Sequence, residues 1–306
     1  MNEKEIIKDI SRKLNIDKIG FTDSEPLKKI EEYLLYRRDN NLTSEFENDN
    51  IEERIDPKLT MESCKSIIVI ALSYNVDYKA KQEEKFSGRL SKSSWGLDYH
   101  LVLKDKMEKL IEQALKKIDF EYKIYVDTGP LVDRELARKA GIGYYGKNCS
   151  IMNDELGSFI FLGYILTDLE ILPDETIDGG CEGCNICVES CPTNALYEPY
   201  RLNPNRCISY LTQTKNPIAE ELKRKMGRSI YGCDICQMAC PKNKHAKKSS
   251  HEEFIPSVTH IKLDEIFRIS NREFKRKYGQ MAFSWRGKGI IKRNGEIIYS
   301  NIVNNG

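Results

Sequence analysis

Apolar side chains recur at three- and four-residue steps over 2–14, 26–37 and 98–117, which predicts three amphipathic helices, and 131–140 reads as a fourth. Short apolar runs at 66–73, 121–126 and 157–166 predict strands. This alternation predicts an α+β chain whose N-terminal part is an α/β domain with a mixed sheet. Residues 39–58, rich in Asn, Asp and Glu, and residues 77–94 read as long loops, either functional or merely solvated. The longest apolar run, Ser66 to Tyr74, is strand-sized and falls far short of the ~18 residues needed to cross a bilayer. The N-terminal helix lacks the apolar centre of a signal peptide, so a cytoplasmic protein without membrane association is expected.

At 306 residues, 40% hydrophobic and 31% charged, the chain can bury real cores and is not wholesale disordered. Its net charge of +1 conceals a division. Residues 1–196 carry 27 basic and 37 acidic side chains, whereas residues 197–306 carry 21 and 10. A basic second part points to a polyanion such as nucleic acid, against the plainer reading of a solvated surface.

Ten cysteines in a cytoplasmic chain call for an explanation other than disulfides, and eight lie between residues 181 and 240. Cys181, Cys184, Cys187 and Cys191-Pro192 form a C-x2-C-x2-C-x3-C-P run. Cys233, Cys236 and Cys240-Pro241 repeat it without the first thiol, which Cys207 is placed to supply. The count closes on two [4Fe–4S] clusters, one on Cys181, Cys184, Cys187 and Cys240, the other on Cys191, Cys207, Cys233 and Cys236. Zinc on paired C-x2-C elements is the competing reading, but zinc does not ask for this rhythm twice. Cys64 and Cys149 read as inert small residues.

Gly141-Ile-Gly143-Tyr-Tyr-Gly146 imitates a dinucleotide fingerprint but follows a helix instead of a strand, so no nucleotide loop is assigned. Outside the cysteines the best catalytic candidate is Asp127, which leaves a short strand at a Thr-Gly-Pro turn; an Asx turn or helix cap is the structural alternative. As a proton donor it would need a raised pKa, hence a largely apolar, enclosed site.

Together these segments resemble the epoxyqueuosine reductases. The resemblance rests on Glu53-Arg54-Ile-Asp56-Pro57, Ser94-Trp95-Gly96-Leu-Asp98-Tyr99-His100, Val126-Asp127-Thr-Gly-Pro130 and Ala140 to Asn148. It continues through both cysteine runs, Cys207-Ile-Ser209-Tyr-Leu-Thr212 and Phe283-Ser-Trp-Arg-Gly-Lys288. It implies an oxidoreductase that converts epoxyqueuosine to queuosine in a tRNA anticodon loop, using cobalamin reduced through two [4Fe–4S] clusters, with Asp127 as proton donor. It also implies a cobalamin-binding catalytic domain over 1–175, a ferredoxin-like dicluster domain over 176–250 and a short helical segment over 251–306, the start of a HEAT-like region.

Arg54, Tyr99, His100, Asp127, Lys147, Asn148 and Ser209 are the expected cobalamin contacts, with no corrinoid D-x-H-x-x-G motif to supply an axial imidazole. Lys223, Arg224, Lys225, Arg228, Lys242 and Lys244 flank the second cysteine run and are the expected tRNA contacts. A ferredoxin- or flavodoxin-type electron donor and a monomeric state complete the expectation. A small-molecule corrinoid reductase of the reductive-dehalogenase kind and a non-catalytic dicluster electron carrier are the competing functions.

Overall fold

The computed structural model describes residues 2–78 and 84–304. Its principal sheet contains β1 (Lys18–Asp23), β2 (Ser66–Ser73), β4 (Tyr122–Tyr125) and β7 (Ile160–Thr167) in the order β1-β2-β7-β4. All eight residues of the central β2 are buried, because helices cover both faces of the sheet. Ile68, Ile70 and Leu72 face a core shared with the helices Glu3–Lys13 and Tyr99–Leu115. Ile67, Val69 and Ala71 face the other core, shared with Leu34 of helix Lys28–Asp39 and with Leu136 and Ala137 of helix Asp133–Lys139. The two-residue period of a strand thus divides one apolar run between two cores.

The expected mixed sheet is found elsewhere. Every pairing in the principal sheet is antiparallel. The strands come as neighbours across the sheet without the parallel crossovers that alternating helices had implied. The mixed sheet is a smaller one, in which β3 (Ser87–Leu90) pairs in parallel with β10 (Ser229–Tyr231) and antiparallel with β11 (His260–Lys262). Each of the three expected segments therefore gives it one strand. Two short pairs, β5 (Tyr144–Tyr145) with β6 (Ile151–Met152) and β8 (Leu196–Glu198) with β9 (Arg201–Leu202), flank the cysteine-bearing region.

Neither expected loop is wholly irregular. The first holds the short helices Ile51–Ile55 and Pro57–Thr60, and the second holds β3 and a 3-10 turn at Lys92–Ser94. Residues 79–83 of the second lie outside the described residues. Among the described residues no helix is long and apolar enough to cross a membrane.

Candidate active site and cluster ligands

Asp127 follows β4 in a left-handed backbone conformation, φ +57°. A non-glycine residue held there costs on the order of 1–2 kcal/mol, so its surroundings must enforce it. They do so from below. Tyr164 of β7, fully buried, accepts a hydrogen bond from the Leu131 amide at 3.3 Å, and a Cβ added at Gly129 would lie 2.0 Å from the Tyr164 hydroxyl oxygen. Asp133, at the start of helix Asp133–Lys139, accepts the Asp127 backbone N–H; burial, then the charge on Asp127, raises its pKa to about 8.

The Asp127 carboxylate meets the first turn of helix Tyr99–Leu115. Tyr99 donates its hydroxyl to Oδ2 at 2.7 Å, and His100 Nε2 lies 3.5 Å from the same oxygen. Asp98 caps that helix by accepting the His100 amide at 3.0 Å and holds His100 Nδ1 at 2.7 Å. The imidazole is therefore clamped between two carboxylates.

Charge follows from this clamp. Burial alone would lower the His100 pKa, but the hydrogen bonds and charges of Asp127 and Asp98 win and raise it to about 9. Burial would raise Asp127, but the His100 and Tyr99 donors outweigh it and hold the carboxyl below its ordinary value. Asp127 thus lacks the raised pKa that a direct proton donor needs. At neutral pH the proton rests on His100, because two donors converge on the carboxylate and its side chain keeps 61% of its surface accessible.

Around this group stand residues that the sequence did not single out. Glu47 binds Arg37 through both carboxylate oxygens at 2.7 and 2.8 Å and also pairs with Arg54 at 3.0 Å. Arg54 feels the Arg134 charge, and Arg134 donates to the Cys149 carbonyl at 2.6 Å. The Cys149 thiol, raised chiefly by burial, senses Arg134, Arg37 and Cys207, which puts the arginine group near a cluster cysteine. The Tyr231 phenol of β10 feels the charges of Asp127 and Asp98.

The eight cysteines form two neighbourhoods. Burial raises the thiol pKa values of Cys207, Cys233 (to about 12) and Cys236. Their mutual repulsion, together with Cys191, adds to the effect. Burial likewise raises Cys187, reinforced by Cys181 and Cys240. Cys191 differs: burial is outweighed by the amides of Leu196, Thr193 and Ala195 and the Thr193 hydroxyl, with Ala195 N 3.3 Å from its sulfur. Thiols that repel one another, partly buried at Cys191, Cys207, Cys233 and Cys236, fit a cationic iron cluster, which binds thiolates. Among the described residues no three His, Cys, Asp or Glu side chains converge on a point suited to one metal ion.

Comparison with known proteins decides the family. Residues 54–128 match the family described as epoxyqueuosine reductase QueG, DUF1730, and residues 180–243 match the 4Fe-4S double cluster binding domain. An epoxyqueuosine reductase of Bacillus cereus is 44% identical over 291 residues, covering 93% of this chain and 76% of the relative. The chain belongs to the epoxyqueuosine reductase family. Epoxyqueuosine reductase solved with an epoxyqueuosine-modified tRNA-Tyr stem loop superposes with a TM-score of 0.94 at 39% identity, covering 98% of this chain and 81% of that one. The Bacillus subtilis reductase, solved with its catalytic aspartate loop swung out of the active site, gives 0.94 at 38% identity over the same shares.

As an epoxyqueuosine reductase the chain is an oxidoreductase with two [4Fe–4S] clusters. Its expected site residues fall in different places. Tyr99, His100 and Asp127 come together in one group, and Arg54 pairs with Glu47 near Arg134. Asn148 is buried, and its side-chain carbonyl accepts the Ser150 amide at 3.2 Å. Ser209 lies two residues after Cys207 and gives its carbonyl to Thr212 and Gln213. Lys147 instead reaches the cluster loop and donates to Asn185, between Cys184 and Cys187, at 2.9 Å.

Among the expected tRNA contacts, Lys223 and Lys225 pair with Glu220 and Glu221 on their own helix, and Arg224 is exposed beside them. Arg228 is a structural clamp, binding the Ser87 carbonyl at 3.2 Å and that of Glu84. Lys242 lies over the Tyr144 ring and pairs with Asp154, and Lys244 is exposed. Charge count alone could not separate clamps from a free basic surface.

Proposed function

We propose that this chain reduces the epoxide of epoxyqueuosine in a tRNA anticodon loop, with Asp127 facing the epoxide oxygen. The observation that carries this reading is the strained Asp127, gripped by Tyr99 and His100. Removing an epoxide oxygen breaks two C–O bonds, leaves an alkene and water, and consumes two electrons and two protons. The His100 imidazolium holds one proton and passes it through Asp127 to the departing oxygen. Asp98 keeps the ring in place, and solvent reprotonates the imidazole and supplies the second proton. Tyr99 holds the same carboxylate oxygen.

Arg54, Tyr99, Asn148 and Ser209 would hold cobalamin beside Asp127, and Lys147, bonded to Asn185, would link that site to the first cluster loop. Both ring nitrogens of His100 are already engaged by carboxylates. When bound, cobalamin supplies low-potential cobalt as the electron source for the epoxide.

A ferredoxin- or flavodoxin-type donor is placed at the first cysteine run, where Ile186 is exposed beside Cys187. A tRNA substrate puts the reaction in the cytoplasm, and the basic second part of the chain supplies salt-sensitive attraction to its phosphates. A simple electron carrier has no use for the Asp98–His100–Asp127 group, and family membership disfavours a small-molecule reductase. Anaerobically reconstituted protein should convert epoxyqueuosine-tRNA to queuosine-tRNA only with cobalamin present. Conversion without cobalamin, or none with it, would overturn this reading.

A further inference from the structure

Three segments distant in sequence bring aromatic rings together at the mouth of the Asp127 site. Phe46 lies 5.3 Å from Tyr210 and 5.4 Å from Trp285, edge-on to the indole at 71°. The Arg286 guanidinium sits 4.7 Å from the Trp285 ring and 5.0 Å from the Phe46 ring. It is fixed by Glu45 at 2.7 Å and the Gln213 carbonyl at 2.9 Å. These rings nevertheless remain in water, Trp285 52% and Phe46 42% exposed.

A hydrogen-bonded bridge ties the indole to Tyr231, which lies within range of the Asp127 charge. The Trp285 indole N–H and the Tyr231 hydroxyl both donate to Gln213 Oε1, each at 3.1 Å, and the Tyr231 phenol feels the Asp127 charge. The platform is therefore held rigidly at the entrance and still presents open aromatic faces beside a guanidinium. That combination matches a ligand with flat π faces and a negative backbone.

We propose that Phe46 and Trp285 form a stacking platform for an unpaired nucleotide next to the target base in the RNA loop. This inference rests on the RNA reading given above. Drawing the target base into the site deprives its neighbour of a stacking partner, and an aromatic face at the mouth replaces it. The contact is tolerant of base identity, since every base has a π face, whereas the pocket beyond selects the modified one.

The test is titration of a labelled anticodon stem-loop RNA into cofactor-loaded protein, Trp285→Ala and Trp285→Phe, at low and moderate salt. Trp285→Ala should weaken binding on the order of tenfold at both salts, the loss expected for one base–aromatic stack, without changing the salt slope. Trp285→Phe, which loses the Gln213 bond but keeps a ring, should recover most of the affinity. In the unaltered protein, 2-aminopurine at the nucleotide flanking the target should be quenched on binding. This signal serves as the test even if the alanine variant fails to fold.

Affinity of Trp285→Ala indistinguishable from the parent, equal weakness of both variants, or unquenched 2-aminopurine in bound RNA would each overturn the platform. Failure of the parent to bind the stem-loop at all would instead bring down the RNA reading, and the platform with it.

Discussion

Replacing His100 with Gln keeps a hydrogen-bonding group near Asp127 and removes the positive charge. Two unit charges 3.5 Å apart attract by about 1 kcal/mol in water and about 5 kcal/mol at an effective dielectric of 20. With His100 36% and Asp127 61% exposed, screening places the pair towards the aqueous limit, at about 2 kcal/mol. Losing it moves the Asp127 pKa upward and corresponds to about a 30-fold loss of turnover if the imidazolium is the proton source.

The pH profile gives the sharper signature. A histidine raised to about 9 contributes its stabilising charge fully below its ordinary pKa, and that contribution is lost as pH rises through 9. The lowered Asp127 behaves oppositely, contributing above its ordinary pKa and failing as pH falls below it. The parent should therefore show a plateau in kcat/KM across neutral pH and an alkaline limb near 9. In His100→Gln that limb should vanish and the acidic one move upward. A variant with parental rate and an unchanged alkaline limb would refute the proton-source role of His100.

Gly129→Ala drives a methyl against the buried Tyr164 hydroxyl and should displace the Asp127 loop. Turnover should collapse while the cluster absorption and stem-loop affinity persist. Cys207→Ala should leave about half the iron and sulfide of the parent, measured after anaerobic reconstitution, since it disables one cluster of two. Asn294, fully buried, donates to the carbonyls of Thr212 and Ile230 at 2.7 and 2.8 Å. Asn294→Ala strands both and should cost about 2–3 kcal/mol in denaturant unfolding.

Much of the fold was legible where local pattern and tertiary burial agreed. The runs at 66–73 and 98–117 appear as β2 and helix Tyr99–Leu115. What escaped depends on long-range pairing. Ser87–Leu90 carries a serine, a glycine and an arginine, and is a strand only because β10 and β11 flank it. In the site, the cysteine spacing announced itself, and Asp127 stood out at its turn. Asp98 carried a signal that went unused: an aspartate directly before a helix caps it, and a histidine two residues later falls within its reach. Glu47, Asp133 and Tyr231 had none, because their roles arise from partners elsewhere in the chain. The charge state of Asp127 was hidden for the same reason, since the donors that lower its pKa come from another helix.

The small mixed sheet also sets a timetable for synthesis. β3 ends at residue 90, yet its partners emerge only around residues 230 and 261. At translation rates of ~5–20 residues per second, β3 stays single for about 7–30 s, and the principal sheet, ending at Thr167, is complete before its first partner emerges. The ribosome thus delivers a half-built catalytic lobe with open strand edges, a vulnerable state that the cluster-bearing polypeptide and the segment after it must close. Mutations that slow the cysteine region from folding should therefore show first as aggregation of the lobe made before it.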